Sequence, residues 1–319
     1  MGALKKSLSL GISLVALVIT AYSFTRVQDI RDWLILRNYT PSAEIESIAR
    51  ATQLNDYGEK LFYVHDPKLE TAESFNKDCV IAESSIVLGC YNGVNIFIYD
   101  VKDERLDGIH EVTAVHEMLH AAYDRLSKSE KERVDTLTTK QLAKLSSERI
   151  QKVIKQYRAR DPAIVPNELH SVLGSEVRNL EPELEAYYSQ YFIDRSAVVT
   201  LSEKYEQVFT KNENDREALG ATLSLNKARL ASYEQELSDK ADDIRDHRVR
   251  LDGLLAAGNT TEYNNQVPAY NAKVKDYNNE LTDYKTLLRD TNDVIVQYNS
   301  LVIYQNELIQ SIDSRASEL

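Results

Sequence analysis

Between residues 267 and 312 the apolar and aromatic positions step by alternating three and four residues. They run through Val267, Tyr270, Val274, Tyr277, Leu281, Tyr284 and Leu288 to Ile312, with Thr291 and Gln305 the only polar members. A sustained heptad of this kind marks a left-handed coiled coil. An earlier stretch does the same from Leu219 through Leu223, Leu230 and Leu237 to Leu254, with more polar interruptions. Gly258, Asn259 and Pro268 separate the two, so the pattern predicts a helical hairpin with arms of about 70 to 80 Å at 1.5 Å per residue. The repeat leaves open whether the arms pair within one chain or between chains.

Upstream of residue 196 the pattern is different. Runs at 60–64, 80–82, 86–90 and 94–99 are rich in β-branched and aromatic residues and read as short strands, the last two joined by an Asn92-Gly93 turn. Helical signals surround them. Thr40-Pro41 reads as a helix start, Ser129-Glu130-Lys131-Glu132 as a capping box, and Asp161-Pro162 as a break. Pro166 then opens a helix carrying Glu168, His170 and Glu176. The expected fold is an α+β domain over residues 28–196, with an antiparallel sheet plus helices, followed by the antiparallel coiled-coil hairpin over 197–319.

Residues 7–24 are uncharged and follow Lys5 and Lys6. That length suits a transmembrane helix, and no good processing site closes it, so residues 1–27 are expected to be an uncleaved signal anchor. The cationic bias places the N-terminus in the cytoplasm and the rest outside, as a single-pass protein of the cell membrane. A cleaved secretory signal is the alternative. Cys79 and Cys90, the chain's 2 cysteines, would face each other across antiparallel strands if Ser84 and Ser85 form the turn, and a disulfide fits an oxidising location. A formal charge of −12 excludes nucleic acid as a partner, since no basic stripe is available for phosphates.

The chemistry lies at His116-Glu117-Met118-Leu119-His120. On a helix the two imidazoles share one face and can hold one zinc ion, while Glu117 reaches a water as general base. Thr113, Ala114, Val115, Ala121 and Ala122 on either side are uncharged, unlike a solvated helix. The alternative is a structural helix with two unrelated histidines. Here the chain resembles the zincin metallopeptidases, through His116, Glu117 and His120. That resemblance implies a cleft-lining edge strand that pairs with an extended peptide, for which residues 95–101 are the candidate. An ordinary hairpin is the competing reading.

A catalytic zinc takes a third protein ligand. Asn167-Glu168-Leu169-His170-Ser171 resembles the Asn-Glu-x-x-Ser element of thermolysin-like gluzincins, which implies Glu168 as that ligand. Val172 departs from the family, which has Asp there. Glu176 and His170 are the other candidates for the third position. If Glu168 is the ligand, His170 is expected to stabilise the oxyanion as a second catalytic residue beside Glu117. Tyr187, Tyr188, Tyr191, Phe192 and Arg195 read first as helix packing.

These features predict a membrane-anchored, extracytoplasmic, zinc-dependent endopeptidase acting on protein or peptide. Its hairpin would serve as targeting element, partner site or homo-oligomer contact. The same zinc chemistry also fits amide hydrolysis of cell-wall peptide. From another class comes an envelope scaffold in which the coiled coil is the working part and the zinc site is structural or vestigial.

Overall fold

The computed structural model describes residues 27–79 and 86–315, and 76% of it is helical. The expected α+β domain is thereby corrected. In order the elements are α1 (Val27–Leu36), α2 (Ala43–Ala51), α3 (Asp56–Tyr63), β1 (Lys68–Glu70), α4 (Ala72–Asp78), β2 (Gly89–Tyr91) and β3 (Ile96–Tyr99). A 3-10 turn (Glu104–Leu106) precedes α5 (Ile109–Asp124), α6 (Lys128–Lys144), α7 (Glu148–Arg160), α8 (Val165–Glu176) and α9 (Pro182–Tyr188). Two long helices follow, α10 (Ser196–Ala256) and α11 (Thr260–Ile312).

The run at 60–64 is not a strand. Asn55 caps α3 by accepting from the backbone of Tyr57 and Gly58, and Gly58, Leu61 and Phe62 then share the buried face at helical spacing. Gly58 is required there, because a Cβ would lie 2.2 Å from the Tyr191 carbonyl oxygen. The run at 80–82 and the Ser84-Ser85 turn lie outside the described residues. The sheet is mixed rather than antiparallel, with order β1-β3-β2, β1 parallel and β2 antiparallel to β3. Helix starts also shift. Ser42 rather than Thr40 caps α2, and the capping box is Ser127 with Glu130.

The single-pass membrane placement is not supported. No helix among the described residues is long and apolar enough to cross a membrane, and residues 7–24, which carried that expectation, lie outside them. Helices α5 and α6 have only 16 and 17 residues, and α10 and α11 carry charges along their length.

The chain forms two compact units, one running to Val208 and resumed at Ile309, the other Phe209–Leu308. In the first, α5 is the central helix. Val112, Val115, Met118, Leu119 and Ala122 are buried on several of its sides, as befits a helix enclosed by its neighbours. Truncating Leu119, which is fully buried, to Ala should cost about 2 to 5 kcal/mol. Helix α1 is bolted to the end of α5: Arg125 donates to both oxygens of the buried Asp32, at 2.8 and 3.1 Å, and Lys60 adds a contact at 3.3 Å. A disulfide joins Cys79 at the end of α4 to Cys90 on β2. The first turns of α10 belong to this unit, because Val198 and Val199 sit in its core, and Ser314 returns to bond Asn76 on α4. A boundary at residue 196 would cut through these contacts.

In the second unit the arms pair within one chain. Lys240 bridges to Asp276 and Glu280, Lys273 to Asp243, and the Tyr284 hydroxyl donates to Glu234 at 3.0 Å. Asn212 donates to the Leu301 carbonyl at 3.1 Å. Gly258, at φ 73°, makes the turn that the sequence placed there. The expected seam positions are the less exposed ones along α10. On α11 they hold to Tyr284 and again at Thr291, Tyr298, Val302, Gln305 and Ile312, while Leu287, Val294 and Leu308 turn inward in place of the expected Leu288, Ile295 and Ile309.

Candidate metal and catalytic site

Helix α5 begins at Gly108, whose φ of 100° turns the chain into it, and its burial fixes the faces of the motif. His116 and His120 lie one turn apart, their ring centroids separated by 4.7 Å. Glu168, on α8, comes to meet them. Its Oε2 is 3.7 Å from His116 Nε2 and 3.8 Å from His120 Nε2. Next to it, Asn167 Oδ1 accepts from His120 Nδ1 at 3.0 Å, which leaves His120 Nε2 bare on the Glu168 side.

The three donors all lie within 4.8 Å of one another. Glu168 Oε2 is buried and has no hydrogen-bond partner. Ligands at about 2.0 to 2.2 Å from a tetrahedral ion are about 3.4 Å apart, so the two nitrogen-to-oxygen separations are slightly wider than a loaded site needs. The donor set, two imidazoles and one carboxylate, therefore fits a divalent metal. Glu176, the rival third ligand, is engaged elsewhere: it accepts from Arg149 Nη2 at 2.5 Å, and Arg149 also reaches Glu206 at 3.2 Å.

Glu117 points around α5 toward β2. It is 6% exposed, and the Tyr91 backbone N–H donates to it. Burial pushes its carboxyl up to about 7 against the opposing pull of His116. Gly89 makes this approach possible, since a Cβ there would fall 2.9 Å from Glu117 Cγ and 2.5 Å from Thr113 Cγ2. Burial disfavours charge on both histidines, but the neighbouring Glu168 and Glu117 carboxylates hold a proton on His116 up to about 9. His120 is driven down to about 4 by burial and then by the charged His116. Without metal the cluster keeps one proton, which a metal would displace.

A cleft of about 590 Å³ opens on this site. Thr113, His116 and Glu117 line its floor, Leu88 and Gly89 one wall, and Tyr157 of α7 the other. The wall strand differs from expectation. Residues 95–101 contain β3, which has a partner on each side, whereas β2 is the edge strand beside Glu117.

His170 is not in the cleft. It stands 200° around α8 from Glu168, fully buried, its Nε2 2.9 Å from the Tyr187 hydroxyl and its ring among Tyr123, Tyr187 and Tyr188. Burial and the nearby imidazoles push it down to about 3, so it is a neutral core histidine. Arg195 is likewise structural, donating to the carbonyls of Val177 and Arg178 and pairing with Glu185.

Tyr157 and Tyr205 also line the cleft, and motif spacing pointed to neither. Tyr157 borders Glu168, and burial followed by the Glu168 and Glu117 charges raises its hydroxyl well above the usual tyrosine range. Its only sequence signal is the inward spacing of Ile150, Ile154 and Tyr157 on α7. No protein family, no curated protein and no solved structure matches this chain.

Proposed function

We propose that the chain is a zinc-dependent peptidase, built on a mainly helical scaffold, in which His116, His120 and Glu168 hold the metal. The observation that carries this reading is a three-donor cluster whose first member, His116, lines an open cleft beside a buried carboxylate, Glu117. A purely structural site is closed by four protein ligands and has no use for such a base.

Bound there, zinc supplies a Lewis acid and lowers the pKa of water. Glu117, poised near 7, takes a proton from water and returns it to the leaving amine. Tyr157 keeps its proton at neutral pH and donates a hydrogen bond to the developing oxyanion, the part expected of His170. Asn167 fixes the tautomer of His120. Among the described residues no strand pairs with β2 on its cleft side, where Gly89 offers backbone groups to an extended chain, and Leu88, Val112 and Val153 give that chain an apolar wall. The favoured substrate is thus an unfolded or extended polypeptide.

The test is zinc content measured together with hydrolysis of an unfolded protein. The parent should hold one zinc per chain and cleave, and Glu117→Gln should keep the zinc and lose about two to four orders of magnitude in rate. Parental cleavage by that variant would end this mechanism.

A further inference from the structure

A second line along α11 is only partly used by the hairpin. Asn264, Asn271, Asn278, Asn292, Asn299 and Asn306 recur every seven residues, with Lys285 at the one remaining step, and all seven positions are exposed. Three residues after each stands an aliphatic, the line Val267, Val274, Leu281, Leu288, Ile295, Val302 and Ile309. Asparagine and aliphatic lines together make a second three-four repeat beside the first. The intrachain seam keeps the line of Tyr263, Tyr270, Tyr277, Tyr284 and Tyr298, one residue before the asparagines. It shares the aliphatic line at Val267, Val274 and Leu281, and Val302 is again half-buried. Beyond Leu287 it leaves Leu288 and Ile295 39% and 40% exposed, with Val296 and Ile303 beside them at 65% and 60%.

We propose that this face joins two copies of the chain as a parallel, in-register coiled coil of α11 with α11. An asparagine amide both donates and accepts, so each is satisfied by its own counterpart at the same height. Parallel pairing sets asparagine against asparagine and aliphatic against aliphatic, whereas antiparallel pairing would set asparagine against aliphatic and leave its amide unpaired. The extent suits a weak, reversible pair: the stretch beyond Tyr284, about 25 residues at 1.5 Å with a contact about 9 Å wide, gives about 340 Å² per copy, below the ~800 Å² per partner of a stable interface. Repeated asparagines lower affinity while fixing register, and Lys285 opposite its own copy is the weakest layer. The proposal is independent of the peptidase reading.

Sedimentation equilibrium of the full chain should show a reversible dimer. Ile295→Glu should raise its Kd at least tenfold with helicity unchanged, since that side chain is half-exposed in the hairpin, and Lys285→Asn should lower it. Under mild oxidation Asn299→Cys should cross-link to its own copy, while Gln297→Cys, on the opposite side of α11, should not. Cross-linking at residue 299 identifies the parallel arrangement, because an antiparallel pair would place it far from its counterpart. A chain that stays monomeric at every soluble concentration, a dimer indifferent to Ile295→Glu, or equal cross-linking at 297 and 299 would overturn the proposal.

Discussion

The compact unit and the hairpin treat buried polar groups in opposite ways. In the compact unit most are matched: Asp32 by Arg125 and Lys60, Gln141 by the Asn179 carbonyl and the Glu181 N–H, Arg195 by carbonyls and Glu185. Of its side-chain atoms without a hydrogen-bond partner, three belong to residues of one helix, α8: Glu168, His170 and Ser171. In the hairpin such atoms are spread along the seam, at Asn212, Arg216, His247, Glu280 and Gln305. Of the three orphans on α8, only Glu168 Oε2 faces the two imidazoles, where the proposed metal would take it up, whereas His170 lies in the core. Scattered ones are the toll of polar layers in a two-helix seam, where they fix alignment at the expense of stability.

The largest effect should come from unmatching a matched group. Asp32→Ala leaves the Arg125 guanidinium, 18% exposed, without its partner and should destabilise the compact unit by about 3 to 5 kcal/mol in thermal unfolding. A loss below about 1 kcal/mol would show that water replaces the carboxylate. The same pair predicts a pH dependence. Burial alone would raise the Asp32 carboxyl, but Arg125 and Lys60 outweigh it and hold it below its usual value. Its contribution is therefore full above the unfolded value of about 4 and lost as pH falls through the folded one. The acid limb of the parent's stability curve should flatten in Asp32→Ala.

A smaller effect tests the α8 orphans. Asn167→Ala frees the His120 ring to turn and should weaken zinc binding about 10- to 100-fold in metal-buffered titration. Unchanged affinity would detach Asn167 from the site. Smallest is the effect in the seam. His247 is 6% exposed and neither ring nitrogen has a partner, so His247→Leu should stabilise α10 by about 1 kcal/mol, read as slower amide exchange around that position. Faster exchange would mean that the ring is satisfied by a group the hairpin hides.

The residues that the structure brings together, His116, His120 and Glu168, were readable in sequence because each signal is local: i,i+4 spacing on α5 and adjacent residues at the start of α8. The hairpin was readable because its period is local too. What escaped depends on contacts between distant segments. The 60–64 run is apolar enough for either structure, and only the Asn55 cap and the Gly58 approach to Tyr191 decide for helix. β3 looked like an edge strand until β1, almost 30 residues earlier, paired with it. Tyr157 reaches the cleft only because α7 packs beside α8, and His170, two residues from Glu168, faces the core for the same geometric reason that Glu168 faces the metal donors.

The bridge between Cys79 and Cys90 has a practical consequence. Cys90 directly follows Gly89 on the strand that forms one wall of the cleft, while the proposed metal donors stand on α5 and α8 rather than on that strand. On the proposed peptidase reading, the protein should therefore have two separable chemical off-switches. A chelator would empty the donor side and leave the wall standing. A thiol reductant would loosen the wall and leave the donors loaded, so that the preparation passes a metal assay while failing to hold substrate.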